Sequence, residues 1–516
     1  MSVQTAIRVT VVTLAGEPCA TVKLAPEDLV QVLREAVSDA LGGRRCGLVA
    51  GTARLLDSAT VAEAGLKNGA VVTAVLTRGV KQLFGGRRAF AALRADGSLL
   101  AWGSPEAGGR LGAAERRLRE GVAEVCCTEE AFAARKEDGS VVAWGSAEQG
   151  GDSRAVARQV REGVVALAST AAAFAALKLG GAVVTWGSAK HGGDSKVVAT
   201  PWDDGSHQGR ICSGVKRLFA TQHAFAALKA DGTVVAWGNR AHGAELRFVL
   251  PLLTDVEEIT ATDYAFAARK TGGAVLAWGH TQCGGDLGAA SRQVRGQVEK
   301  VFATRRAFAA LKADGSVVAW GHPTSGGDLQ AVAQQLRGNV ERIFPGKGAF
   351  AALKRGGAVV AWGDGEAGGD TCAVAEQLGA GVRHVCASGG AFAALRADGS
   401  VVAWGSGGHG GDCSDEAEQL RGGVAWLCAS EGAFAALKSG GSVVTWGCGD
   451  HGGDSCAVAE QLADGVDEVY AARSAFAAVK RDGSVVAWGD PAAGGSLGAV
   501  AAQFSGAGSE PPPAGP

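Results

Sequence analysis

Methionine is all but missing from this sequence, one residue in 516, and tyrosine occurs only twice, against 80 glycines and twelve tryptophans. A set this skewed arises when one short segment has been copied many times. Long apolar runs are missing too: none reaches the roughly 18 residues of a membrane span, so no membrane is expected. The opening MSVQTAIRVTVV has no basic stretch leading into an apolar core, which argues against secretion and predicts a protein kept in the cytoplasm or nucleus. A formal charge of −2 gives no general attraction for phosphate, so nucleic acid is not an expected partner. The twelve cysteines lack the paired spacings of metal ligands and, in a reducing compartment, predict neither disulfides nor a metal. What is present is a globular composition, 47% hydrophobic and 20% charged, which excludes wholesale disorder. At this length it means several domains or one extended repeat architecture.

Residues 1–78 share no pattern with the rest of the chain. Val9, Val11 and Leu14 open a strand that turns at Ala15-Gly16-Glu17 into a second strand with Val22 and Leu24. Pro26-Glu27-Asp28 starts a helix in which Val30, Leu33 and Val37 form one apolar stripe, and Gly42-Gly43 stops it. Leu48-Val49-Ala50-Gly51, Leu55-Leu56-Asp57-Ser58, Thr60-Val61 and a closing strand from Ala70 to Leu76 come next. This order resembles ubiquitin, with TLAGE in the first turn, a single long helix, LVAG, LLDSATVAEAGL and a final AVVTAVL. The resemblance implies a β-grasp head in which Leu14, Leu48 and Val75 form an exposed apolar patch for ubiquitin-binding receptors. Gly47 stands where that family buries an aliphatic residue, and Gly85-Gly86 comes ten residues later than the family's terminal Gly-Gly. A built-in docking domain is therefore expected rather than a conjugated one.

From residue 79 to 504 an Ala-Phe-Ala core recurs ten times, each Phe followed twelve residues later by Trp-Gly, from Phe90 and Trp102 to Phe476 and Trp488. Nearly all copies are 42 residues apart; Trp186 and Trp237 are 51 apart. In a good copy the stretches Ala391 to Arg396 and Ser400 to Trp404 flank Asp398-Gly399, a hairpin signal because both turn residues tolerate positive φ. Six copies carry Asp-Gly there and four Gly-Gly. The two strands are apolar on both faces, so each sheet must be covered on both sides by its neighbours, and the alanines let those neighbours come close. Cys126, Cys386 and Cys428 occupy the position held elsewhere by Phe84, Phe219, Phe302, Phe344 and Tyr470, and read as small buried hydrophobes. After each Trp-Gly a loop ends in Gly-Gly-Asp. In the segment after it, Val374 and Leu378 lie at i and i+4, which predicts a two-turn helix capped by Asp370 or Thr371.

The frame V-x-x-V, A-F-A-A-L-K-x-D-G-S-V-V-x-W-G and a Gly-rich loop is similar to the repeat of the regulator of chromosome condensation family. That resemblance implies a β-propeller. These units are shorter than that family's and carry a helical segment where it has a Pro-containing strand, and ten copies exceed its usual number. A ten-bladed ring, two stacked rings and an open superhelix all fit. The expected fold is thus mainly β with a small α+β head: a β-grasp domain at 1–78, ten propeller-type repeats at 79–504 and a disordered Pro/Gly tail at 505–516.

Candidate chemistry repeats with the units. A Lys or Arg stands four residues after each Phe, from Arg94 to Lys480, beside hairpin residues such as Asp96, Asp138, Asp231, Asp314, Asp398 and Asp482. Local neutralisation is the reading, with a basic belt for an acidic partner as its rival. A second series, Asp152, Asp194, Asp286, Asp328, Asp370, Asp412 and Asp454, comes after Gly-Gly and reads as helix caps, since one carboxylate per loop is too few for calcium. The ten tryptophans read as core rather than as ligand platforms. No nucleophile has a base at a recognisable spacing, so no enzyme and no cofactor are expected. The nine extra residues of the third unit, within Thr200 to Arg210, make a candidate docking loop with Trp202, Asp203, Asp204, His207 and Arg210. The reading is a monomeric, non-enzymatic scaffold or adaptor that binds protein partners, ubiquitin-binding receptors among them. Its rivals are an exchange factor for a small GTPase, a substrate-recognition accessory of a ubiquitin ligase, and a sugar-binding propeller.

Overall fold

Each repeated unit folds as one three-stranded antiparallel sheet, and there are ten such sheets. In the eighth unit the strands are Val382–Ala387, Ala391–Arg396 and Val401–Gly405, the last two joined at the Asp398-Gly399 hairpin, where Gly399 has φ +78°. The computed structural model describes residues 80–195 and 213–504 of the repeats. In the head it describes 7–13, 18–25, 28, 30–40, 46–50, 53–54, 60–62 and 64–76. Among the described residues no helix is long and apolar enough to cross a membrane.

The middle strand of every unit is buried on both faces, as the double-sided apolar pattern requires. Its Phe pairs directly across the hairpin with the Trp, and in all ten units the two rings stack with centroids 5.1 to 5.4 Å apart. The alanines on either side let the next sheet lie close, and each hydrophobic cluster spans two neighbouring units. The ten repeated tryptophans are therefore core.

The Gly-Gly loop is a clamp between units. The indole N–H of each Trp donates to the carbonyl of the first glycine in the preceding unit's loop, as Trp320 does to Gly284 at 3.1 Å and Trp404 to Gly368 at 2.9 Å. That glycine has positive φ and lies flat on the Phe ring: a Cβ on Gly326 would sit 2.5 Å from Phe350 Cδ2. The glycine after it is as constrained, since a Cβ on Gly327 would meet the Gly321 carbonyl at 2.4 Å.

The segment after Gly-Gly-Asp is not the predicted two-turn helix. It forms short turns, 3₁₀ in segments such as Cys372–Val374, and among the described residues the segments before and after the tenth unit add an α-turn, Ala459–Leu462 and Ala501–Phe504. Its last carbonyl accepts the amide that opens the preceding unit's third strand, Val359 N–H to Leu378 O at 2.9 Å, while Leu378 inserts between sheets. Tethered at that end, so short a segment cannot run on as a helix. The Asp after Gly-Gly caps it as expected: Asp370 Oδ1 accepts the Cys372 amide and Asp454 Oδ1 the Cys456 amide, both at 2.9 Å.

The ring is closed, and the C-terminal segment closes it. First strands touch first strands of neighbouring units all the way round, the tenth touching the first. At unit one, the place that the linker segment takes at other joints is filled by Leu497, Val500 and Phe504. Phe504 is 5% exposed and meets Trp102 edge-on at 5.6 Å. Trp102 donates to Gly494 at 3.0 Å, and Arg94 to the Gln503 carbonyl at 2.5 Å.

The head is a five-stranded sheet of β1 (Ile7–Thr13), β2 (Pro18–Leu24), β3 (Cys46–Ala50), β4 (Ala53–Arg54) and β5 (Ala70–Leu76), ordered β2-β1-β5-β3-β4. β1 and β5 run parallel, and α1 (Val30–Ala40) buries the predicted stripe of Val30, Leu33 and Val37.

Candidate functional site

The turn that joins first to second strand places one residue of every unit on an inner circle: Arg87, Glu129, Ala171, Gln222, Asp263, Arg305, Lys347, Gly389, Glu431 and Arg473. Backbone hydrogen bonds run along most of it, the amides of all but Lys347 and Arg473 donating to the carbonyl of the next unit's residue. Arg87 donates to Glu129 at 3.1 Å, Gln222 to Asp263 at 3.1 Å and Glu431 to Arg473 at 2.9 Å. The position is thereby fixed in space while its side chain is free to vary. Two cavities, of about 330 and 420 Å³, open along this circle; Ala171 and Gln222 line both.

The charges on the circle pair with one another. Arg87 meets Glu129 at 3.0 Å and Arg305 meets Asp263 at 3.2 Å. Lys347 passes over Gly389 to reach Glu431, which also binds Arg473. Gly389 makes that reach possible, because a Cβ there would stand 3.3 Å from Lys347 Nζ and 2.4 Å from the Glu431 carbonyl oxygen. Burial works to raise the Glu431 carboxyl, but the bond and charge of Lys347, with Arg473, outweigh it and hold the group below its ordinary value. Asp263 goes the other way: burial pushes its carboxyl up despite Arg305. Beneath the circle, Thr128, Thr170, Thr221, Thr262, Thr304, Ser388 and Ser430 pin the turns, each hydroxyl accepting the amide that opens the second strand or donating to the unit's own 3₁₀ turn.

The basic series read from the sequence is neither a free belt nor mainly neutralised by the hairpin aspartates. Lys178, Lys354, Lys438 and Lys480 donate to the carbonyls of Gln159, Gln335, Gln419 and Gln461 at 2.7 to 2.9 Å, closing the C-terminal ends of the segments that follow Gly-Gly-Asp. Lys229 and Arg396 do lie near Asp231 and Asp398, at 3.6 and 3.5 Å. Cys126, Cys386 and Cys428 are half-buried rather than fully so; burial pushes all three thiols up, Cys386 to about 12, which leaves them unreactive. Leu48 is 0% exposed and packs beneath α1 with Val30, Leu33 and Val72, so it is core and not part of an exposed patch. Gly47 pairs with Val75 and Leu48 with Ala74, and a shift of one residue along a strand exchanges its two faces. Leu14, the Val75 side chain and the loop residues Trp202, Asp203, Asp204, His207 and Arg210 lie outside the described residues.

Sequence reasoning missed the inner circle, although its signal was present: inside a frame copied ten times, the third residue before each Phe is among the few positions that change character from copy to copy. It also missed Trp426, on the first strand of the ninth unit, which is 46% exposed and stacks on His384 at 5.5 Å.

No protein-family model matches the chain, and no curated protein matches it. Among solved structures it is similar to the ectodomain of the Physcomitrella patens receptor kinase CR4, at 16% identity over 59% of this chain and 74% of that one, with a TM-score of 0.30. It is similar to Prp20p from Saccharomyces cerevisiae at 15% identity over 56% and 83%, again with a TM-score of 0.30. Over 14% of this chain it is similar to 88% of a de novo design based on ubiquitin, at 16% identity and a TM-score of 0.13.

Proposed function

We propose that the chain is a non-enzymatic interaction scaffold whose propeller-like ring offers the inner circle and its two cavities to a protein partner. One observation carries this reading: ten backbone positions tied by inter-unit hydrogen bonds carry residues that differ from unit to unit, nine of them with side chains, along the circle on which both cavities open. Preorganised, mixed-charge surfaces of that kind select a partner at little entropic cost. Most of the uniform groups are committed elsewhere, the repeated tryptophans to the core, the aspartates after Gly-Gly to caps and several of the lysines to backbone carbonyls, which disfavours the sugar-binding and basic-belt alternatives.

The head is read as a β-grasp docking module. Support comes from the sheet order β2-β1-β5-β3-β4 with one helix across it. With Leu48 in the core, a receptor would meet exposed apolar residues such as Val71.

The test is affinity capture by the full chain and by a variant with Arg87→Gln and Arg305→Gln. The variant is expected to keep its thermal midpoint and lose the wild-type partner; equal capture by both would overturn the assignment. Removing residues 1–78 in parallel separates head-borne from ring-borne partners, and nucleotide release from a panel of small GTPases tests the exchange-factor rival.

A further inference from the structure

Five rings lie in unbroken contact across units three to five, beside the inner circle. Centroid to centroid, His191 is 4.8 Å from His223, His223 is 4.7 Å from His242, and His242 is 4.9 Å from Tyr264 and 6.4 Å from His280. The chain has nine histidines, and four of them meet here. His223 and Tyr264 directly succeed the inner-circle residues Gln222 and Asp263. His191 and His242 end the 3₁₀ turns Ala189–His191 and Arg240–His242, and His280 begins the next such loop.

Those turns are the joints between units. Gly192 and Gly243, one residue beyond His191 and His242, carry the carbonyls that accept the indole N–H groups of Trp237 and Trp278 at 3.1 and 2.9 Å. The carbonyls of His191 and His242 themselves accept the Thr170 and Thr221 hydroxyls. A force that parts the imidazoles therefore acts on the clamp that holds one sheet to the next.

Protonation supplies such a force. Nδ1 of His242, of His280 and of His451 are buried without a hydrogen-bond partner; at His242 a proton would have no acceptor, whereas His451 lies beside the Glu431 carboxylate rather than another imidazole. Burial, and after it the neighbouring imidazoles, push His223 down to about 4 and hold His242 below its ordinary value; burial does the same for His191. The surrounding charges offer little relief. Glu129 favours a proton on His191 and His223 but already pairs with Arg87; Lys190 opposes it, Arg240 adds positive charge in the His242 turn, and Asp263 pairs with Arg305.

We propose that this stack is an acid-sensitive joint: as pH falls, protons taken up by touching imidazoles drive the turns of units three to five apart and loosen that arc of the ring, while the other units hold. The molecule carries its own control. His409 and His451 occupy the same place in the turns of units eight and nine, but face Gly390 and Gly432, where even a Cβ would press on the ring at 3.0 and 2.8 Å. No imidazole touches another at those joints among the described residues.

Native-state hydrogen exchange of the full chain at about pH 7 and about pH 5, corrected for intrinsic rates, tests the proposal. The opening equilibrium of amides 188–195 and 239–246 is expected to rise about tenfold or more on acidification, and that of 406–412 and 448–454 to stay constant. His223→Asn with His242→Asn should abolish the difference. An equal response at all four joints, or a response that survives in the double variant, would overturn it. Should the double variant not fold, the wild-type comparison between the two pairs of joints decides alone.

Discussion

Ending the chain at Ser496 removes no part of the ten sheets, yet it should open the ring. The lost segment contributes Phe504, 5% exposed and edge-on to Trp102, whose removal from a packed site costs about 3–5 kcal/mol. Leu497 and Val500 are half-buried against the same cluster and add about 1 kcal/mol each. The Arg94 bond to the Gln503 carbonyl is more exposed and adds less than about 1 kcal/mol. The joint between units ten and one should therefore lose about 5–8 kcal/mol, felt locally because each unit packs only on its neighbours. Hydrogen exchange reads this directly: amides of 80–103 and 466–489 should exchange at least about several thousandfold faster, with units five and six unaltered. Phe504→Ala alone should produce more than half of the effect on the free-energy scale. Undiminished protection in unit one would refute the closure, and uniform loss across all units would refute its locality.

The same packing sets three further outcomes. Gly326→Ala should cost about 3 kcal/mol or more, since its Cβ would stand 2.5 Å from Phe350 at φ +93°, whereas Gly440→Ala, with nothing within 4 Å, should stay within about 0.5 kcal/mol in the same urea titration. Trp320→Ala should cost about 3–5 kcal/mol in urea, and Trp320→Phe, which also loses the bond to Gly284, well under that. Glu431→Gln should cost about 1–2 kcal/mol at neutral pH. Because the Glu431 carboxyl is lowered in the folded chain, its stabilisation is fully present above the ordinary value of 4.5 and is lost as pH falls through the lowered one. The stability difference between wild type and Glu431→Gln should accordingly shrink only in acid.

The parts of the fold that depend on residues near one another in sequence were legible. The Asp398-Gly399 hairpin, the buried Phe–Trp pairs and the Val30, Leu33, Val37 stripe each arise from a local pattern meeting one period. What was hidden depends on contacts between units. Lys354 looks like a surface cation until the Gln335 carbonyl stands beneath it, and Gly326 looks like loop until Phe350 lies against it. Leu48 was misplaced because a strand gives its two faces no label in sequence beyond alternation, and β3 is too short to show any. Ring closure does have a sequence signal: Ala499 to Phe504, AVAAQF, repeats Ala457 to Leu462, AVAEQL, with no unit after it. The candidate site was hidden most fully, since the inner circle brings together residues as far apart as Arg87 and Arg473.

Placing a photo-cross-linking amino acid at Ala171, in the mouth of both cavities, and separately at Asp398, in a hairpin at the other end of the sheets, puts the interaction face to direct trial in cells. The account predicts covalent adducts to another protein from position 171 and none from position 398. Adducts from 398 alone, or from neither position in a folded chain, would contradict it.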